Sequence, residues 1–329
     1  MKRTVWFVGA VAVALVLGGC GSGQVGEDGA DAGEPDAGNK RLALVPGVQN
    51  EPFYISMQCG AEAEAKAQGY TVDTNAPQKF DATLQEPIVT GLGADKPAAL
   101  LIAPTDDVAM TEPIRQVKDL GVTIVEVDTA LQDRSLAVST ITSNNEEGGR
   151  LAAKTLAELT SDKKGSVLVL DTIAGTSTTN ARAKGFLDEL KNHPNLKATG
   201  PAEFTQNEPD QAASKVTAAL ASTPDLVGIF ATNLNSGEGA ATGLRNANKS
   251  GAVSLVGFDA SPSEVDGLRA GEFQALIAQD PATIGKEGVR QAIASIKGDK
   301  VERDIEAPLV AITKDNMAEN EKYFYKTEC

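Results

Sequence analysis

The chain has 329 residues, a formal net charge of −15 and only 4% aromatic residues. That length exceeds one small core and suits two α/β lobes. An acidic surface without any dense Lys/Arg run argues against nucleic acid, whose phosphates require clustered cations.

Lys2 and Arg3 precede an apolar stretch of 13 residues, Val5 to Leu17. It is shorter than the roughly 20 residues of a spanning helix and fits a secretory signal peptide over residues 1–19. The stretch ends in Leu17-Gly18-Gly19-Cys20, which resembles a bacterial lipobox and marks Cys20 for lipidation. The expected location is extracytoplasmic, with a lipid anchor in the cell membrane. Residues 20–40 carry five acids (Glu27, Asp28, Asp31, Glu34, Asp36) against Lys40 and almost nothing that packs. Such a segment is expected to be a disordered tether reaching roughly 25 Å. Cys59 and Cys329 are the remaining cysteines. In an oxidising compartment an even pair suggests one disulfide, with two free thiols as the alternative.

From Arg41 the chain alternates short apolar runs with helical patterns. Arg41–Val45 reads as a strand, Ile55 to Gln68 as a helix ended by Gly69, and Tyr70 to Thr74 as the next strand. Ala98 to Ala103 is continuously apolar, as in a strand buried on both faces of a parallel sheet. Met110 to Leu120 reads as a helix closed by Gly121, and Val122 to Val127 as a strand. The rhythm then restarts, with strands at Ser166 to Leu170, Leu226–Ala231, Ser254–Phe258 and Ala275 to Ala278, and a helix at Thr178 to Lys191. Two rounds of alternation predict two doubly wound parallel-sheet lobes joined by a multi-strand hinge.

Ligands of such sheets bind beyond the carboxyl ends of the strands. There the sequence places Glu51, Pro52, Phe53, Tyr54, Asp128, Asp171, Asn233, Asp259 and Gln279. These amides, carboxylates and aromatics suit a sugar, whose hydroxyls need paired donors and acceptors and whose C–H face needs a ring. A polar residue after a strand also serves as a cap or turn former. The segment Gly175-Thr176-Ser177 reads as such a turn and cap, for it lacks the Lys of a phosphate loop. Gly237-Glu238-Gly239 is a weak, truncated dinucleotide pattern. His193, the one histidine, reads as a solvated residue at a helix end. No nucleophile motif or metal spacing accompanies it, so neither an enzyme nor a metal or cofactor is expected.

At these residues the chain resembles the ribose-binding group of type I periplasmic binding proteins, from about Arg41 to Asn316. Phe53 and Tyr54 in NEPFY are similar to the family's paired aromatics, and Asp128 in EVDT to its fourth-strand carboxylate. Arg182 in ARAKGF, Phe204 in PAEF, Asn233 in FATN, Asp259 in VGFD and Gln279 in IAQ resemble further ligand positions. Two positions depart: Glu51 stands where ribose binders carry Asn, and Thr129 where they carry Arg. Both lie in the first lobe and alter its donor–acceptor pattern. The resemblance implies a monomer that binds a monosaccharide or polyol by hinge closure and passes it to an ABC transporter permease. It implies a first lobe of residues 41–143 plus 280–306, and a second of 144–279 plus 307–329. A receptor for a sugar-like signalling ligand, as autoinducer receptor or chemotaxis sensor, is the alternative on the same fold. DNA-binding regulators share these lobes, but here a signal peptide and acidic tether occupy the place of their DNA-binding helices.

Overall fold

A computed structural model describes residues 38–329; the signal peptide, Cys20 and most of the tether lie outside the described residues. In chain order the first half comprises β1 (Arg41–Val45), α1 (Pro52–Ala67), β2 (Thr71–Thr74), α2 (Ala82–Asp95), β3 (Ala99–Ile102), α3 (Thr111–Asp119), β4 (Thr123–Val127) and β5 (Ser139–Ser143). The second half comprises α4 (Asn145–Leu159), β6 (Gly165–Asp171), α5 (Ser177–Leu190), β7 (Leu196–Ala198), β8 (Glu203–Phe204), α6 (Pro209–Ser222), β9 (Leu226–Ala231), α7 (Leu234–Asn246), β10 (Ser254–Phe258), α8 (Pro262–Ala270) and β11 (Ala275–Gln279). The chain closes with α9 (Pro281–Lys297), β12 (Asp304–Ala307), β13 (Leu309–Ile312) and a 3₁₀ turn at Met317–Tyr323.

Local chemistry sets the helix starts. Proline opens α1, α6, α8 and α9, where its missing N–H would have had no intrahelical acceptor. Asp81, Asn144, Asn233 and Asp280 each cap a following helix by accepting a backbone N–H. Ser261 and Glu264 form a reciprocal capping box on α8. Pro52 starts α1 three residues before the helix expected from Ile55, which puts Phe53 and Tyr54 in its first turn. The helix α2 was not anticipated, because Pro87, Gly91 and Gly93 lie inside it.

The first sheet runs β12-β5-β4-β3-β1-β2, all parallel. The second runs β13-β11-β10-β9-β6-β7, with β8 beside β6 and only β13 antiparallel. In order of appearance, and leaving out the two-residue β8, the first five strands of each sheet are arranged 2-1-3-4-5, the doubly wound order whose switch point lies between the first and third strands. Alternate residues of β3 face opposite layers. Leu100 and Ile102 pack with Ile114 and Ile124 on one side, and Leu101 packs with Met57, Ile284 and Val289 on the other. The second sheet repeats this with Phe186, Phe230 and Phe258 on one face and Leu255, Val216 and Leu244 on the other.

Each sheet borrows a helix across the hinge. After β5 the chain passes into the second lobe as α4, which packs on α5. After β11 it returns to the first lobe as α9, which packs on α1. Both pairs approach so closely that side chains are excluded: a Cβ on Gly149 would collide with the Arg182 carbonyl, and one on Gly285 with the Met57 carbonyl. A third crossing joins β12 to β13. The segment 307–329, expected in the second lobe, is in fact divided. Tyr325 N–H donates to the Ala260 carbonyl of the second lobe, and Lys326 N–H donates to Ser56 Oγ of the first. Cys329 then pairs with Cys59 in α1, Cα–Cα 5.2 Å.

Candidate functional site

The carboxyl ends of both sheets face one cleft. The fourth strand of each sheet delivers a carboxylate into it by the same device. Asp128 follows β4 with φ 67°, and its N–H donates to Ile141 O at 2.8 Å. Asp259 follows β10 with φ 94°, and its N–H donates to Ile277 O at 2.8 Å. Left-handed backbone is costly for a residue with a Cβ, and such strain concentrates at functional sites.

Around Asp128, the Tyr54 hydroxyl donates to Oδ2 at 2.9 Å, and the Phe53 ring meets Tyr54 edge-on at 5.1 Å. Around Asp259, Oδ1 accepts from Gln279 Nε2 at 2.7 Å and from the Tyr325 hydroxyl at 2.8 Å, while Oδ2 accepts from Leu234 N–H at 3.1 Å. Gln279 is itself fixed by Ser143 Oγ, which donates to its Oε1 at 2.9 Å. Arg182 projects from α5 and stacks 3.8 Å over the Phe258 ring. Its Nε donates to Asn145 Oδ1 at 2.8 Å and its Nη1 to Thr232 O at 2.9 Å. Nη2 has no hydrogen-bond partner among the described residues, which leaves a guanidinium donor for the cleft. Asn233 caps α7 through Oδ1 and donates from Nδ2 to Asn207 Oδ1 at 2.7 Å. Thr129 donates to Pro104 O at 2.7 Å, so its hydroxyl is already engaged.

Three carboxylates face one guanidinium here. Burial, followed by the charges of Asp259 and Asp128, pushes Glu51 up to about 8. Burial also raises Asp128 to about 6, against the opposing pull of Arg182 and the Tyr54 hydrogen bond. Burial thus favours the protonated form of Glu51, which can donate as well as accept.

Glu51, Phe53, Tyr54, Asp128, Thr129, Arg182, Asn233, Asp259 and Gln279 all line the cleft. Phe204 does not. It is 40% exposed on the two-residue strand β8, and the further aromatic lining the cleft is Phe80, from the first lobe. Phe80 follows β2, so inspecting the loop after that strand would have found it. Thr172, Thr176, Thr178, Thr179 and Asn207 also line the cleft and were missed. The Thr176 hydroxyl is buried without a protein partner, so the segment read as a plain turn brings a polar group to the site. His193 sits after α5 with Nε2 3.3 Å from Glu189, partly covered rather than fully solvated. Gly237 and Gly239 lie inside α7, where Gly239 packs against the start of α6. No group of three or more metal-ligating side chains is found among the described residues.

The two lobes touch across the cleft mouth. Lys79 pairs with Glu208 at 2.6 Å, Asn235 Nδ2 donates to Glu51 Oε2 at 3.3 Å, and Ala130 N–H donates to Ser177 Oγ at 3.0 Å. This is a closed arrangement of two lobes around a polar, partly aromatic chamber.

A family model of the periplasmic binding protein domain matches residues 42–300. The chain is a member of the periplasmic binding protein family, type I. This periplasmic binding protein is 32% identical over 278 residues to the ribose import binding protein RbsB of Escherichia coli, covering 83% of this chain and 90% of that protein. It also resembles an ABC transporter solute-binding protein of Agrobacterium vitis solved with α-D-tagatopyranose. That match has 37% identity and TM-score 0.84, and covers 87% of this chain and 99% of the other. A solute-binding protein of Agrobacterium radiobacter solved with D-arabinose matches at 26% identity and TM-score 0.82, covering 87% and 98%. These relatives are transport components, not enzymes, and the family is extracytoplasmic.

Proposed function

We propose that this periplasmic binding protein captures a monosaccharide or polyol in the cleft and presents it, in the closed form, to the permease of an ABC importer. The observation that carries the reading is the convergence of an uncommitted Arg182 Nη2 with Asp128 and Asp259, delivered from both lobes into a chamber edged by Phe53 and Phe80. A guanidinium donor and two oriented carboxylates match vicinal hydroxyls, and the rings match a sugar's C–H face. The nine expected cleft residues are proposed as the ligand set, together with Phe80, Thr176 and Asn207. Binding from both lobes stabilises closure over opening, which is how a ligand shifts such an equilibrium.

Ribose is not favoured as the ligand, because Glu51 and Thr129 depart from the ribose-binding pattern in the first lobe. A ketohexose pyranose is favoured, since the tagatopyranose-bound protein shares more of its sequence with this chain than RbsB does. The protein acts as a monomer held at the membrane by lipid on Cys20, with the Cys59–Cys329 disulfide formed. Titration calorimetry with D-tagatose, D-ribose, D-allose, D-arabinose, ribitol and a furanosyl autoinducer tests the reading. Binding of a free monosaccharide or polyol is the expected result. Binding of the autoinducer alone, or of none of the six, would overturn it.

A further inference from the structure

The last seventeen residues lie beyond the part of the chain that the family model matches, yet they reach the centre of the site. After β13, Asn316 turns the chain by accepting from Thr313 N–H and donating to Ala311 O. The 3₁₀ turn then leads to Tyr325, which is 5% exposed and packs edge-on against the Phe53 ring at 5.8 Å. One residue later Lys326 N–H is tied to Ser56 Oγ, and three further on Cys329 is tied to Cys59. Both anchors lie on α1, in the first lobe, whereas the group that Tyr325 touches, Asp259, belongs to the second.

The phenol has little freedom. Gln279 N–H donates to its oxygen at 3.2 Å, which occupies the acceptor side and leaves the single hydroxyl proton for Asp259 Oδ1 at 2.8 Å. With Gln279 Nε2 on the same oxygen and Leu234 N–H on Oδ2, the carboxylate is held in one rotation. We infer that Tyr325 is a positioning residue for Asp259, and that the C-terminal segment is a strap, clamped to α1 by Cys59–Cys329, that sets ligand affinity from outside the cleft. Tyr325 is not among the residues lining the cleft; it acts through Asp259. Without the bond the strap end is free and the seat of the phenol loosens, so Cys329 is coupled to the site through the strap. Only the affinity part of this inference rests on the sugar-binding reading.

The test uses Tyr325→Phe, which keeps the ring against Phe53 and removes only the hydroxyl. In the ligand-free protein, amide hydrogen exchange should accelerate at Gln279, which loses its acceptor, and at Leu234, whose acceptor Asp259 is released. The amide of Asp259, bonded to Ile277 O, should not change. In calorimetric titrations with the same six compounds, Tyr325→Phe should weaken binding of any sugar held by the wild type by about tenfold. Cys329→Ser should weaken it in the same direction by less, with circular dichroism unchanged in both variants. Wild-type exchange at Leu234 in Tyr325→Phe, or wild-type affinity for a sugar that does bind, would overturn the inference. If the wild type binds none of the compounds, the sugar reading fails, and the exchange data alone decide the role of Tyr325.

Discussion

Arg182 commits two of its nitrogens to Asn145 and Thr232 and its face to Phe258, which aims the third without rotamer freedom. Arg182→Lys keeps the charge but cannot make those contacts together. It should weaken sugar binding by at least tenfold, a loss of about 1.4 kcal/mol or more, measured by calorimetry. Glu51 carries a pH prediction. Its carboxyl sits near 4.5 when unfolded and is raised to about 8 when folded, so the folded state holds the proton more tightly. The stability this contributes is full below the unfolded value and is lost as pH rises through the folded one. Melting of the empty protein should therefore fall between about pH 6 and pH 8, and Glu51→Gln should flatten that fall. Asp128, raised to about 6, and Glu264, which burial raises well above its ordinary value, act with the same sign, so it is the difference between Glu51→Gln and the wild type that assigns the effect to Glu51. A melting temperature in Glu51→Gln that drops as steeply as in the wild type would remove Glu51 as the cause. These residues were legible because each directly follows a buried strand or matches a motif. The threonines of residues 172–179 were not, because Thr and Gly before a helix carry the same signal whether they cap it or face a ligand.

Helix packing within each lobe rests on backbone-to-backbone approach. Gly285→Ala places a methyl against the Met57 carbonyl, which belongs to α1 and cannot step aside without moving the helix. The expected cost is about 1–3 kcal/mol of stability by chemical denaturation, with α1 and its Phe53–Tyr54 turn displaced. An unchanged denaturation midpoint would show that the two helices have slack. At this scale the sequence was most informative in the middle of the sheets. Mainly apolar runs gave β3, β4, β9 and β10 to within a residue or so, because a strand covered on both faces has few polar positions; Thr123 and Glu126 in β4 and Ser254 in β10 are the exceptions. The strands β5, β12 and β13 lie toward the sheet margins, where Ser139–Ser143 and Asp304–Ala307 mix polar and apolar residues without a clean period. Phe204 was misplaced for a related reason: a strand of two residues has too short a pattern to say which face its ring takes.

For the molecule as a whole, the proposed lipidation of Cys20 predicts a membrane location. Cys20→Ser should move the protein from the membrane to the soluble fraction without altering its sugar affinity, as read by fractionation and calorimetry. A soluble wild type with its mature N-terminus elsewhere would refute lipid anchoring. The interlaced lobes have another consequence, concerning the order in which the structure can be completed. Strands β1 to β5 are all synthesised by residue 143, but the helix that covers Leu101 and Val127 arrives only with residues 281–297, and the sixth strand with 304–307. The first-made half of the protein thus keeps an open apolar face until residues 281–307 have been made. Contacts of such long sequence separation form slowly, because a large loop must close before they contribute. A chain cut short before α9 has no complete first lobe to fall into, so folding of that lobe waits for a segment made after the whole of the second lobe's parallel sheet.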